Sequence, residues 1–157
     1  MAPRTAGPSN PATEKALEAV KSAADSAKLN FGLRAQLASA AAWSPNPKNP
    51  PLYLDLPTKG GVVQQDVIAK WAANSPLAFV DQYIRNLRQY HGIAIDVGDR
   101  DGLRVGAAKL HEILDSYGLA NTFEIYQGTH TSAVAVRFQN YVMPFFSKNL
   151  CSGKDCK

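Results

Sequence analysis

Residues 92–147 alternate twice between a short β-rich run and a longer helical pattern, and this alternation restricts the fold more than any other feature of the chain. Ile93-Ala94-Ile95-Asp96-Val97 reads as a strand closed by Gly98. Leu103 to Tyr117 follows with helical periodicity: Leu110, Ile113, Leu114 and Tyr117 share the inward stripe, and Gly118 is the stop. Thr122-Phe123-Glu124-Ile125-Tyr126 is a second strand, closed by Gly128, and Ser132 to about Phe146 is a final helix. Strand, helix, strand, helix is the order of a parallel α/β sheet.

The first half reads as helices and loops. Residues 1–10 are rich in Pro, Gly, Ser and Asn and are expected to be irregular. Asn10-Pro11 starts a helix, Asn as N-cap and Pro at the first helical position, with Leu17, Val20, Ala24 and Ala27 on its apolar face. A second helix runs from about Leu33 to Trp43, with Leu33, Leu37 and Ala40 or Ala41 on one side. Pro45, Pro47, Pro50 and Pro51 then exclude helix and inner strand, leaving a rigid surface loop that continues to a Gly60-Gly61 turn. Asp66 to Ala73 is a short helix. Ser75-Pro76 caps another, whose stripe is Leu77, Val80, Ile84 and Leu87. The expected organisation is an irregular segment at 1–10, one partial α/β domain at 11–150, and a disordered polar tail at 151–157.

Composition excludes several roles. The 157 residues carry a net charge of +4, but the Lys and Arg residues are scattered, without the clustering a nucleic-acid surface needs. No apolar stretch approaches the ~20 residues of a membrane span. The first eight residues contain no apolar core of a signal peptide. Cys151 and Cys156 lie in the polar tail without a nearby His, which makes a poor zinc site, so they read as free thiols.

Chemistry in a parallel α/β sheet gathers beyond the C-terminal ends of its strands. The first strand leads into Gly98-Asp99-Arg100-Asp101-Gly102, the second into Gly128-Thr129-His130-Thr131. Neighbouring strands lie ~4.8 Å apart, so a carboxylate on one loop can reach an imidazole on the other. That pairing orients a histidine as general base and stabilises its imidazolium. Asp99 or Asp101 taken alone reads sooner as a turn carboxylate capping the next helix than as a catalytic acid, and His130 alone fits an ordinary loop histidine. Asp101 with His130 is the expected pair, and Asp99 is the second candidate for the acid. His91 precedes a strand, at the wrong end of the sheet, and His111 lies within a helix.

Several runs together resemble a known family: Ile95-Asp96-Val97-Gly98-Asp99-Arg100-Asp101, Tyr117-Gly118, Thr122 to Tyr126, Gly128-Thr129-His130-Thr131, Arg137-Phe138 and Met143-Pro144-Phe145-Phe146. They resemble the C-terminal part of the esterase D and S-formylglutathione hydrolase-like branch of the α/β-hydrolases. Arg34 to Pro57 is similar to the stretch that lies, in a subgroup of that family, between the nucleophile region and the acid loop. The resemblance implies an α/β fold that is the C-terminal portion of an α/β-hydrolase: a helical segment, then β-α-β-α with parallel strands in an incomplete sheet. It also implies carboxylester or thioester hydrolysis through an acyl-serine, without metal or organic cofactor. By position, the family's acid falls on Asp101 and its base on His130.

The family's Gly-x-Ser-x-Gly nucleophile is not in this sequence. Only Gly7 has a serine two positions on, Ser9, and the fifth position is Pro11. Ser39 falls in a helical pattern and Ser44 precedes Pro45. The family pattern places Met1 just after the nucleophile's strand and helix. Three readings follow: a part of an esterase inactive by itself, one half of a split esterase completed by a partner chain, or a non-catalytic binding module. A small acyl ester or thioester is the expected substrate only when an upstream half is supplied. The short sheet is expected to expose edge and apolar face, to be poorly stable as a lone monomer, and to favour an oligomer or partner chain that covers the edge.

Overall fold

A computed structural model describes residues 11–150. Residues 1–10, expected to be irregular, and the tail with Cys151 and Cys156, expected to be disordered, lie outside the described residues. The chain divides into two compact units, the first ending at Phe79 and the second beginning at Val80. Among the described residues no helix is long and apolar enough to cross a membrane.

The first unit is mainly helical. Helix α1 spans Pro11–Glu18 and α2 spans Ala23–Ala27, where one continuous helix was expected. Ser22 causes the break. Its hydroxyl accepts the Asp25 N–H and donates to the Asp25 carboxylate, while the Lys21 N–H also reaches that carboxylate. This reciprocal cap starts a new helix instead of continuing the old one. Helix α3, Phe31–Trp43, begins two residues before Leu33 because Asn30 takes the Leu33 N–H. Leu17, Val20, Leu37, Ala40 and Leu54 form the buried cluster of this unit, with Leu33 and Trp71 against it.

The proline-rich loop is organised by its own polar groups. Asn46 donates to both carboxylate oxygens of Asp55, at 2.9 and 3.0 Å, and Asn49 donates to the Leu54 carbonyl at 2.7 Å. The Gly60-Gly61 turn is present, with both glycines at positive φ (57° and 78°). It joins two strands the sequence did not suggest, β1 (Thr58–Lys59) and β2 (Val62–Val63), paired antiparallel. The buried Glu14 carboxylate anchors the turn by accepting the Gly61 N–H. Helices α4 (Gln65–Ala73) and α5 (Pro76–Phe79) complete the unit.

The second unit is α/β. The stripe expected as one helix from Ser75 to Leu87 is segmented: beyond α5 comes a 3₁₀ turn over Val80–Tyr83, then α6 over Ile84–Leu87. Strand β3 (Ala94–Gly98) is followed by α7 (Arg104–Ser116) and β4 (Thr122–Tyr126). The two strands pair in parallel, with Asp96 opposite Glu124 and Gly98 opposite Tyr126. This is the alternation read from the sequence.

Helix α7 stops as expected at Gly118, at φ 67°. The Leu119 N–H bonds back to the Leu114 carbonyl and the Gly118 N–H to that of Asp115, the paired bonds of a left-handed helix end. Leu114 and Leu119 are buried together with Val80, and Leu110, Ile113 and Ile95 pack against them. Tyr117 corrects the expected stripe: it is exposed, because it is the capping residue and has left the helical path.

The final helix is also segmented, into α8 (Val134–Arg137), a π turn (Phe138–Val142) and α9 (Met143–Asn149). Pro144 has no N–H to give to the Asn140 carbonyl, and its ring crowds that carbonyl. The wider turn ahead of it relieves the conflict. The Asn149 side chain lies only 2.7 Å from where a Cβ on Gly92 would stand, so α9 packs on the approach to β3.

Candidate active site

The two strand ends bring Asp101 and His130 together. Asp101 Oδ2 lies 3.0 Å from His130 Nδ1. The aspartate side chain is 8% exposed and the imidazole 62%. The acid is therefore shielded and the ring is accessible. With Nδ1–H donated to the carboxylate, the neutral ring carries its lone pair on Nε2. Asp101 Oδ1 accepts the Leu103 N–H at 2.8 Å. The turn-capping role and the imidazole-orienting role thus coexist on one carboxylate, one oxygen each.

Asp99 is engaged differently. Its Oδ1 accepts the Gly128 N–H at 2.8 Å and lies 3.6 Å from Arg100 Nε. The imidazole of His130 is held by Asp101. Backbone bonds lock the two loops together: Asp99 N–H to the Tyr126 carbonyl at 2.8 Å, and Arg100 N–H to the Gly128 carbonyl at 2.9 Å. Only glycine permits this approach, since a Cβ on Gly98 would come within 2.5 Å of the Gly128 oxygen. Beyond it, Ser132 Oγ accepts the Thr129 N–H at 2.6 Å, and Ala133 at φ 60° turns the chain into α8.

The other histidines lie elsewhere. His91 is exposed, ahead of β3. His111 is part-buried on α7, with Nδ1 2.8 Å from Asn121 Oδ1 and its ring stacked on Phe123. Ser44 has no exposure at all. It donates to the Asp55 carbonyl and accepts from Trp71 Nε1, which makes it a structural hydroxyl of the first unit.

The largest polar feature missed from the sequence is Arg137, buried on α8. Its Nη1 and Nη2 form a fork on the Glu124 carboxylate, both at 2.8 Å, and its Nε donates to Asp96 at 2.9 Å. The guanidinium carbon lies 3.5 Å from the centre of the Tyr141 ring and 4.8 Å from that of Tyr126. The hydrogen bonds from Arg137 hold Glu124 below the ordinary glutamate range. The hydrogen bonds it donates to Glu124, opposed by burial and aided by Asp96, raise the arginine further above its already high value. This hub ties α8 to the middle of both strands on the face away from Ile95 and α7. A signal was available: two acidic residues at the centres of adjacent strands repel one another when paired and favour a cation over that face.

No protein-family model matches the chain, and comparison with curated proteins finds no match.

Proposed function

We propose that the second unit is the acid–base limb of a serine carboxylester or thioester hydrolase of the α/β-hydrolase type, with Asp101 as the orienting acid and His130 as the general base. The observation that carries this reading is the 3.0 Å contact between a shielded carboxylate and an exposed imidazole, across the C-terminal ends of two adjacent parallel strands. The resemblance of the surrounding sequence to the esterase D-like branch supports it. In this role His130 Nε2 takes the proton of a serine hydroxyl as the serine oxygen bonds to the acyl carbon. Asp101 stabilises the imidazolium, which then protonates the departing alkoxide or thiolate. Water then attacks the acyl carbon as His130 takes its proton, and the imidazolium returns that proton to the serine oxygen as its bond to the acyl carbon breaks and the carboxylic acid leaves.

The serine comes from a Gly-x-Ser-x-Gly segment that this sequence does not contain. The test joins the chain to whatever the DNA immediately upstream encodes and measures p-nitrophenyl ester turnover and labelling by a fluorophosphonate. The chain alone is expected to show no turnover that His130→Ala reduces. The joined protein is expected to label at one serine and to lose about four to six orders of magnitude in turnover on His130→Ala. A joined protein without a reactive serine, or with turnover indifferent to His130, would refute the proposal in favour of a binding module.

A further inference from the structure

The bonds around Gly128 assign a role to a residue that the hydrolase reading leaves idle. We infer that Asp99 is a positioning residue: its carboxylate fixes the Gly128 amide and so sets the loop that delivers His130 to Asp101. This rests on the proposed function above.

The parallel ladder ends where the Tyr126 carbonyl accepts the Asp99 N–H. Beyond that point the loop after β4 has no strand beside it to hold its backbone. Asp99 extends the ladder by one step with its side chain, accepting the Gly128 N–H at 2.8 Å. The next residue, Arg100, gives its N–H to the Gly128 carbonyl. Both polar groups of one peptide residue are therefore held from the acid loop. His130 follows two residues later and returns to the same loop at Asp101.

The loop is thus pinned to Asp99-Arg100-Asp101 at both ends. A bond to a carboxylate is among the stronger hydrogen bonds. The Asp99–Arg100 ion pair cannot substitute for it: it is longer, joins adjacent residues, and leaves Gly128 untouched. Without the Asp99 acceptor, the Gly128 amide turns to water, and between the ladder and His130 the loop keeps only the Arg100 bond to the Gly128 carbonyl and its own local bonds at Thr129.

The experiment is nitrogen-15 NMR of the full chain, at a pH where imidazole is neutral, reading the tautomer of His130 and the exchange rate of the Gly128 amide. Wild type is expected to show the Nδ1–H tautomer. Asp99→Ala is expected to raise Gly128 exchange about tenfold or more and to shift the ring toward the tautomer mixture expected of Asp101→Ala, measured alongside. Asp99→Asn keeps an acceptor oxygen and is expected to restore both. A purely structural role would alter melting without this selective loss and rescue.

A folded Asp99→Ala chain that keeps the wild-type tautomer would overturn this inference alone. A wild-type ring that already lacks the Nδ1–H tautomer would overturn the hydrolase reading and this inference with it. Should Asp99→Ala fail to fold, wild type decides: the Gly128 amide proton shift must follow the titration of the Asp99 carboxyl, and an amide that ignores it overturns the inference.

Discussion

Replacing Arg137 with Met keeps most of the side-chain volume and removes the charge that joins α8 to both strands. Removing one member of a buried ion pair costs about 3–5 kcal/mol when the survivor is stranded. Here the survivors are not stranded: the Asp96 and Glu124 side chains are 39% and 47% exposed and regain water. The lost fork on Glu124 is worth about 2 kcal/mol and the Asp96 bond about 1 kcal/mol after this screening. Stacking on Tyr141 adds about 0.5–1 kcal/mol. Asp96 and Glu124 are directly opposite in the register, so their repulsion adds about 0.5 kcal/mol. Burial of the methionine side chain returns about 1–1.5 kcal/mol. The net expectation is a loss of about 2.5–3.5 kcal/mol.

Amide hydrogen exchange of β3 and β4 reports this change in the second unit directly. The expected loss corresponds to exchange roughly 70- to 400-fold faster at residues that open with the whole unit. Both tryptophans, Trp43 and Trp71, lie in the first unit, so their emission follows that unit instead. A double-mutant cycle with Glu124→Gln is expected to show coupling of about 1–2 kcal/mol. Arg137→Lys, a point charge that cannot fork, is expected to recover only part of the loss. A cost for Arg137→Met below about 0.5 kcal/mol, or a cycle without coupling, would refute the view that the hub holds the layers together.

Four further expectations follow from the geometry. Because the folded-state pKa of Glu124 is depressed, its contribution is fully present above the unfolded glutamate value, about 4.3, and is lost as pH falls through the folded value; denaturant midpoints should therefore drop below about pH 4, and by less in Glu124→Gln. Ser44→Ala strands the Trp71 indole N–H and the Asp55 carbonyl and should destabilise the first unit by about 1–3 kcal/mol, read by tryptophan emission during urea unfolding; an unchanged midpoint would count against the hydroxyl's structural role. Asp101→Asn should abolish the His130 Nδ1–H tautomer while leaving far-ultraviolet circular dichroism intact, since an amide oxygen can still accept the Leu103 N–H. Val134, Val136, Phe138 and Met143 are each more than half exposed on the segment after β4, so sedimentation velocity should show association that grows with concentration, and a strictly monomeric chain would contradict it.

The β-α-β core was legible because its signals are local and agree with one another. Alternating apolar residues mark each strand, a glycine closes each, and Gly118 stops the intervening helix at a left-handed turn. The Asp101–His130 contact was legible for the same reason: parallel pairing of those strands leaves their exit loops on one edge. What escaped was interaction that periodicity does not encode. Ser22 restarts a helix because its hydroxyl and Asp25 find each other three residues apart, while the apolar spacing of Leu17, Val20, Ala24 and Ala27 runs on as if nothing intervened. Pro144 acts on the Asn140 carbonyl one turn earlier, an effect that the helical spacing from Ser132 to Phe146 does not carry.

Arg137 was hidden more deeply, since its partners lie 13 and 41 residues away. A single charge on a short helix carries no periodic signal. The two carboxylates do: Asp96 and Glu124 each stand at the centre of a five-residue strand flanked by apolar neighbours. Once the strands are paired in register, those acids face one another, and a cation with parallel donor edges relieves their repulsion, a geometry that arginine offers and lysine does not. Strand register therefore carries two consequences at once. It sets the acid and base loops side by side at one end, and it sets the acids that recruit Arg137 in the middle. A one-residue slip of β4 against β3 would separate Asp101 from His130 and turn Glu124 to the α7 face, so the arginine hub guards the register on which the candidate active site depends.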